Sequence, residues 1–390
     1  MTIEHVPVDP AAVLADLIRC PSVTPAEGGA LDYLEKRLKA LGFRTERLVF
    51  SQSGTPDVDN LFATTGSGRP HLLFAGHSDV VPAGDESRWR APPFEGRTID
   101  GAIHGRGAVD MKGAIACFLA AAAEFIAKGA PAGTLSLLIT GDEEGPAVNG
   151  TARALRWAAE QGLTFDAALI GEPSSSEAIG DTVKIGRRGS LSGTVTVTGK
   201  QGHSAYPHLA DNPIPRTVAM AAALIATPLD GGSDAFQPSH VEITSIDVGN
   251  PAFNVIPAAA TMRFNVRFND RWTFATLEKE LRERLDAAAG GKPYSLVLEP
   301  LNSEAFLTHA PELVDTLSAA IRDVTGRIPA LSTGGGTSDA RFVKDYCPVV
   351  EFGLVGATMH QTDERVPVAD LALLTRIYAR FLALYFARGT

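Results

Sequence analysis

The chain has 390 residues, 45% hydrophobic and 21% charged, the balance of a soluble globular protein longer than one compact core usually is. Its formal charge of −10 and the lack of a Lys/Arg-rich run argue against nucleic acid or an anionic membrane surface as partner, and no apolar stretch is long enough to span a bilayer. Cys20, Cys117 and Cys347 are odd in number and far apart, which argues against a disulfide framework or a cysteine zinc site and fits reduced thiols in a cytoplasmic protein; residues 1–5 carry no signal-peptide pattern.

Helical periodicity appears over residues 11–18 and 30–41, the second stopped by Gly42. Short apolar runs at 72–75, 135–139, 167–170 and 349–352 read as buried strands, with helices predicted over 113–128 and 151–161. Buried strands alternating with helices predict an α/β protein with a mostly parallel sheet flanked by helices. From about 181 to 300 the pattern changes to strand 191–197, helix 212–226, strands 241–248 and 260–268, helix 273–288 and strand 294–298. That β-α-β-β-α-β order predicts an inserted ferredoxin-like α+β domain. The expected organisation is a catalytic domain over 1–180 and 301–390, interrupted by an inserted domain over 181–300, with a further helix at 310–324.

Several apolar runs end in chemistry. Residues 72–75 lead to Gly76-His77-Ser78-Asp79, residues 135–139 to Asp142-Glu143-Glu144, residues 167–170 to Gly171-Glu172, and residues 349–352 to Met359-His360. In open parallel sheets the carboxyl ends of the strands are where ligands bind. Asp110 precedes a predicted helix on the same route. Asp142, Glu143 and Glu144 repel one another, and no basic residue lies within five positions on either side. Two histidines and three carboxylates, His77, Asp110, Glu144, Glu172 and His360, suit one zinc or a pair sharing a carboxylate. Such cations would offset the repulsion, leaving Glu143 free to take a proton from an attacking water. Asp79 is expected to accept the second ring N–H of His77 and fix its tautomer. Phosphate-loop, G-x-S-x-G and H-E-x-x-H patterns are absent.

Residues 76–82, 105–113, 140–145 and 171–173 together resemble the di-zinc aminoacylase and carboxypeptidase-like family, over essentially the whole chain. Residues 184–191, 201–208 and 332–339 resemble the members that act on N-succinyl amino acids. The resemblance implies two zinc ions per subunit, with cobalt able to substitute. His77 and Glu172 would hold one ion, Glu144 and His360 the other, and Asp110 would bridge them. It further implies Glu143 as general base, Asp79 as the partner of His77, and His203 as the oxyanion donor reaching in from the other subunit of a homodimer. The inserted domain would be the dimerisation (lid) domain. Candidate substrate contacts are Arg187, Ser190, Tyr206, Asn254, Arg267, Gly336 and Thr337. The arginine forks at Arg187 and Arg267 suit a substrate carboxylate, so a small N-succinyl amino acid is expected rather than an acetyl one. Related hydrolases of acetylornithine, other N-acyl amino acids or dipeptides are the nearest alternatives, and a non-catalytic metal-binding scaffold is the alternative of another class.

Overall fold

A computed structural model describes residues 8–300 and 302–387. Residues 1–5 and the domain boundary expected at 301 lie outside the described residues. The rest divide into two compact units. The first comprises residues up to Ile185, Thr308–Ser332 and the chain from Ser338; the second comprises Gly186–Leu307 and Thr333–Thr337.

The first unit opens with α1 (Pro10–Ile18), whose start is fixed by Asp9: its carboxylate accepts the Ala11 N–H, and Pro10 occupies a position that needs no donor. Next come α2 (Ala30–Ala40), β1 (Arg44–Phe50), β2 (Val58–Gly66) and β3 (His71–His77). α3 (Lys112–Ala127), β4 (Thr134–Thr140), α4 (Thr151–Glu160), β5 (Ala167–Ile170) and β6 (Thr182–Lys184) follow.

The second unit holds β7 (Gly189–Thr198), α5 (Pro213–Ile225), β8 (His240–Asp247), β9 (Ala259–Phe268), α6 (Phe274–Ala289) and β10 (Ser295–Leu298). Its antiparallel sheet has the order β8-β9-β7-β10. Alternation along β7 and β9 turns Leu191, Val195, Phe264 and Val266 into a core shared with Leu277, Leu281 and Leu285 of α6. α6 is delimited by a Thr273–Thr276 capping box and by left-handed Gly290.

The chain then returns to the first unit through α7 (Pro311–Thr325), β11 (Ala330–Ser332), β12 (Val349–Glu351) and α8 (Val368–Ala387). The first unit's sheet has the order β1-β2-β4-β3-β5-β12-β6-β11. Its centre, β4-β3-β5-β12, is parallel throughout. Leu72, Phe74, Leu135 and Leu137 face a core built from α1, α2, α3, α7 and α8. There Phe74 stacks on Phe118 at 3.9 Å, and the Tyr378 hydroxyl donates to the Phe352 carbonyl at 2.6 Å. On the other face Phe62 meets Trp157 of α4 edge-on. β1, β2 and α8 are elements that the apolar runs did not announce; β1 and β2 add an antiparallel edge to the sheet.

Candidate metal centre

Because β4, β3, β5 and β12 are adjacent and parallel, their carboxyl ends share one edge. β3 ends on His77, β4 runs into Asp142-Glu143-Glu144, and β5 runs into Gly171-Glu172. His360 comes from the connection after β12, and Asp110 from the turn entering α3. Gly171 is required by close approach: a Cβ there would lie 2.7 Å from the Met111 Cε and 2.9 Å from the Ala114 Cβ, pushing α3 off the sheet.

The two imidazoles converge on Asp110. His77 Nε2 lies 3.2 Å from Asp110 Oδ1 and 3.7 Å from Glu172 Oε1. His360 Nε2 lies 3.2 Å from Asp110 Oδ2 and 2.7 Å from Glu144 Oε1. Single ligand atoms of His77, Asp110 and Glu144 sit within 4.8 Å of one another, and so do those of His77, Glu143 and Glu172. His77 is 1% exposed and Asp110 and Glu172 8% each, so this charge is held largely out of water.

Such crowding shows in the ionisation of the groups. Burial pushes the Glu143 carboxyl up to about 8; Asp339, Glu144 and Asp110 add to the shift and His77 opposes it. Burial likewise drives Glu172 well above the carboxylate range, helped by Asp110 and Glu143. For His77 burial disfavours the cation, but the hydrogen bond to Asp110 and the charges of Glu143, Asp110 and Asp79 outweigh it and raise the imidazole well above its ordinary value. Hydrogen bonds to Asp110 and Glu144 raise His360 to about 10. Asp110 is pulled below its usual range, because the hydrogen bonds from His360 and His77 overcome its burial. The cluster thus favours positive charge at its centre. Its nitrogen and carboxylate oxygen donors are the set that zinc takes, and a divalent cation would release the protons the ligands otherwise keep.

Asp79 differs from the expectation. The His77 Nδ1–H donates to the Asp79 backbone carbonyl at 3.0 Å, while the Asp79 carboxylate lies 3.7 Å from that nitrogen. The carboxylate instead accepts the backbone N–H groups of Glu143 at 3.3 Å and Glu144 at 3.0 Å. Once committed to those donors, it leaves the carbonyl of the same residue to orient the ring. Asp142 is likewise turned to backbone N–H groups, those of Val148 and Asn149. Backbone dipoles therefore meet the carboxylates of Asp79 and Asp142, while the His360 imidazole meets Glu144.

The remaining candidates belong to the second unit. Arg187 is buried and its Nη1 donates to the Gly336 carbonyl at 3.0 Å, with Thr337 next in the chain. A Cβ on Gly335, which has φ +104°, would lie 2.8 Å from that Nη1. Ser190 pairs across the sheet with Arg267 and its hydroxyl accepts from Asn265 Nδ2 at 3.1 Å. These residues alternate with the core positions, so they line the sheet face turned away from α5 and α6. His203, Tyr206 and Asn254 form a separate exposed group. The His203 and Tyr206 rings are 5.7 Å apart, and the Ser204 N–H donates to the Asn254 carbonyl. His203 Nδ1 accepts the Ala205 N–H at 3.0 Å, which puts the proton of the neutral ring on Nε2.

Arg188 is a residue the sequence reading passed over. Its Nε and the Nη1 of Arg267 are buried atoms without a hydrogen-bond partner among the described residues. Burial, and after it the Arg188 charge, lowers the Arg267 pKa, so two guanidinium groups stand together. The available signal was parity: Arg188 is two positions before Ser190, on the face that already carried two candidates.

The sequence pattern of "Peptidase family M20/M25/M40" matches residues 73–384. The chain is 59% identical over 381 residues to a succinyl-diaminopimelate desuccinylase from Methylorubrum populi, covering 97% of this chain and 98% of that one. A protein of the same name from Methylorubrum extorquens is 59% identical over 380 residues, covering 97% and 99%. Among solved structures, an M20 family metallo-carboxypeptidase from Sulfolobus solfataricus superimposes with a TM-score of 0.79 at 17% identity, over 97% of this chain and 99% of that one. The chain belongs to peptidase family M20/M25/M40.

Proposed function

We propose that the chain is a metal-dependent amidohydrolase that cleaves N-succinyl-LL-2,6-diaminopimelate to succinate and LL-2,6-diaminopimelate, a step of lysine and peptidoglycan-precursor synthesis. The reading is carried by the 59% identity, over nearly the full length of both chains, to proteins of that name. The buried nitrogen and carboxylate cluster supports it, as do the partnerless nitrogens of Arg188 and Arg267, since a succinyl group ends in a carboxylate.

His77 and Glu172 would hold one zinc, Glu144 and His360 a second, and Asp110, which faces both imidazoles, would bridge them. Bound there, two divalent cations supply Lewis-acid polarisation of the scissile carbonyl and make an attacking water more acidic. Glu143 takes a proton from that water as its oxygen adds to the carbonyl carbon. As the C–N bond breaks, Glu143 returns the proton to the leaving nitrogen. Asp79 holds the Glu143 and Glu144 backbone in place through its two N–H acceptances. His203 donates its Nε2–H to the oxygen that becomes negative. Arg187, Arg188, Ser190, Arg267, Gly336 and Thr337 bind and orient the substrate carboxylate, with Tyr206 and Asn254 beside His203.

His203 would act on the neighbouring copy of a homodimer built through the second unit. In support, that unit's sheet ends on β8, where Ile246 is 46% exposed, and α5 exposes Val218 and Ile225. A cytoplasmic location fits the three unpaired cysteines; among the described residues no helix is long and apolar enough to cross a membrane. The test is hydrolysis of the succinylated and the acetylated diamino acid side by side, with metal stoichiometry measured on the same preparation. Preferred cleavage of the succinyl amide with two zinc ions per chain is expected. Equal or greater turnover of the acetyl amide would overturn the substrate assignment.

A further inference from the structure

The loops that bring Asp110 and His360 together are tied by a charged pair that the proposed mechanism does not use. Arg106, on the Asp110 loop, is 3% exposed, and Glu364, on the His360 loop, is fully buried; Arg106 Nη1 lies 2.7 Å from Glu364 Oε2. Further side-chain hydrogen bonds of each residue cross to the loop opposite, and the Arg106 guanidinium makes one more, to the Pro82 carbonyl at 3.4 Å. The guanidinium donates to the carbonyls of Gln361 at 3.3 Å and His360 at 3.4 Å. In return Glu364 Oε2 accepts the Gly107 N–H at 3.0 Å, and Oε1 accepts the N–H groups of Val109 at 2.8 Å and Asp110 at 3.2 Å. Trp89 covers the guanidinium, its ring 5.2 Å away.

We propose that Arg106 and Glu364 are positioning residues of the metal centre, a reciprocal clamp that fixes the span between the Asp110 carboxylate and the His360 imidazole. The inference rests on the reading of that cluster as a metal site. Two features separate the clamp from an ordinary buried ion pair. Buried pairs are weak contributors to stability and are often replaceable by apolar residues of like volume, so stability alone gives little reason for one here. In addition, His360 and Asp363 are non-glycine residues with φ of +59° and +61°. A turn in that conformation persists only where its surroundings over-determine it, and Arg106 grips the carbonyl of one of these residues. A ligand on a strained turn, facing a shared carboxylate on another loop, needs such a tie if both are to stay within coordination distance.

The test strips the full-length protein of metal and titrates it with Zn2+ by calorimetry and with Co2+ by visible absorption, recording the melting temperature of each metal-free sample. The set is the parent, Arg106→Lys, Glu364→Gln and the apolar double Arg106→Met/Glu364→Leu. For either conservative variant the Zn2+ affinity should fall about 10- to 100-fold, as for other partners of ligand residues, with altered Co2+ bands. The double variant should recover melting temperature without recovering affinity. Conservative variants that bind Zn2+ and colour with Co2+ as the parent does would overturn the clamp, and so would a double variant restoring affinity together with stability. Should the double variant not fold, the conservative pair decides alone. A parent that binds no Zn2+ removes the metal reading and the clamp with it, whereas normal binding by every variant removes the clamp only.

Discussion

The two units handle charge in opposite ways. On the carboxyl edge of the first sheet, acids and imidazoles answer one another: Asp110 faces both His77 and His360, and Glu144 faces His360. On the open face of the second sheet like meets like, with Arg188 beside Arg267 and a nitrogen of each lacking a partner among the described residues. Burial explains the contrast. An ionised group taken out of water must be met by counter-charge or dipoles, so the first unit builds these into the protein. A half-buried guanidinium keeps part of its hydration and can wait for a counter-charge that comes with a ligand. The cluster of the first unit therefore favours positive charge, and the arginine pair of the second favours negative charge.

The largest effect that can break this comparison lies in the first unit. Glu143→Gln should keep the metal content of the parent while kcat falls by about 10³-fold or more, as for loss of a general base. Metal analysis beside steady-state kinetics checks it, and a kcat within tenfold of the parent would take Glu143 out of that role. In the second unit, His203→Ala should lower kcat by about 10²- to 10³-fold, the cost of one oxyanion donor, with metal content unchanged. Mixing His203→Ala chains with Glu143→Gln chains should restore part of the activity, because half-mutant dimers then contain one intact site. No regain would place His203 and Glu143 on the same chain. Next, Arg188→Met or Arg267→Met should lower kcat/KM for the succinyl substrate by about 10- to 100-fold, the worth of a hydrogen bond to a charged group. Hydrolysis of the acetyl analogue should be untouched; an equal loss on both substrates would mean the arginines bind no succinyl carboxylate.

The smallest effect is on stability. Glu143 is pushed up to about 8 and His360 to about 10. A carboxyl or imidazole whose pKa is raised by folding contributes stability that is complete below its unfolded value and lost as pH rises through the folded one. The metal-stripped protein should therefore melt at lower temperature at pH 8 than at pH 5, by roughly a few degrees. Zinc should raise the melting temperature more at pH 8 than at pH 5, since protons no longer compete for the ligands. A metal-free melting temperature that rises over this interval would show that the cluster does not hold those protons.

Some of this was legible residue by residue. The apolar runs ending at His77, before Asp142-Glu143-Glu144 and before Glu172, gave both the strands and their chemical tips, because a strand buried on both faces must be continuously apolar. The period-two alternation of β9 and the leucine spacing of α6 disclosed the inserted sheet and helix in the same way. α8 escaped because apolar residues such as Leu373 and Leu384 lie outside the stripe of buried ones, from Leu371 to Phe386, and blur its period. β1 escaped because only Leu48 of it is buried and it carries Arg44, Glu46 and Arg47, and β2 because Asp59, Asn60, Thr64 and Thr65 interrupt its apolar residues.

What the sequence determined by itself was therefore local: which residues are apolar with which period, and which reactive groups follow each run. The tertiary structure alone decided that β4, β3, β5 and β12 lie side by side, and that His360 meets Glu144 across 216 residues of chain. It also assigned the Asp79 carboxylate to two backbone N–H groups and left its carbonyl for His77. The physical reason is that periodicity reports one element's exposure to water, whereas the partner of a buried polar group is chosen among everything folding brings within hydrogen-bond reach.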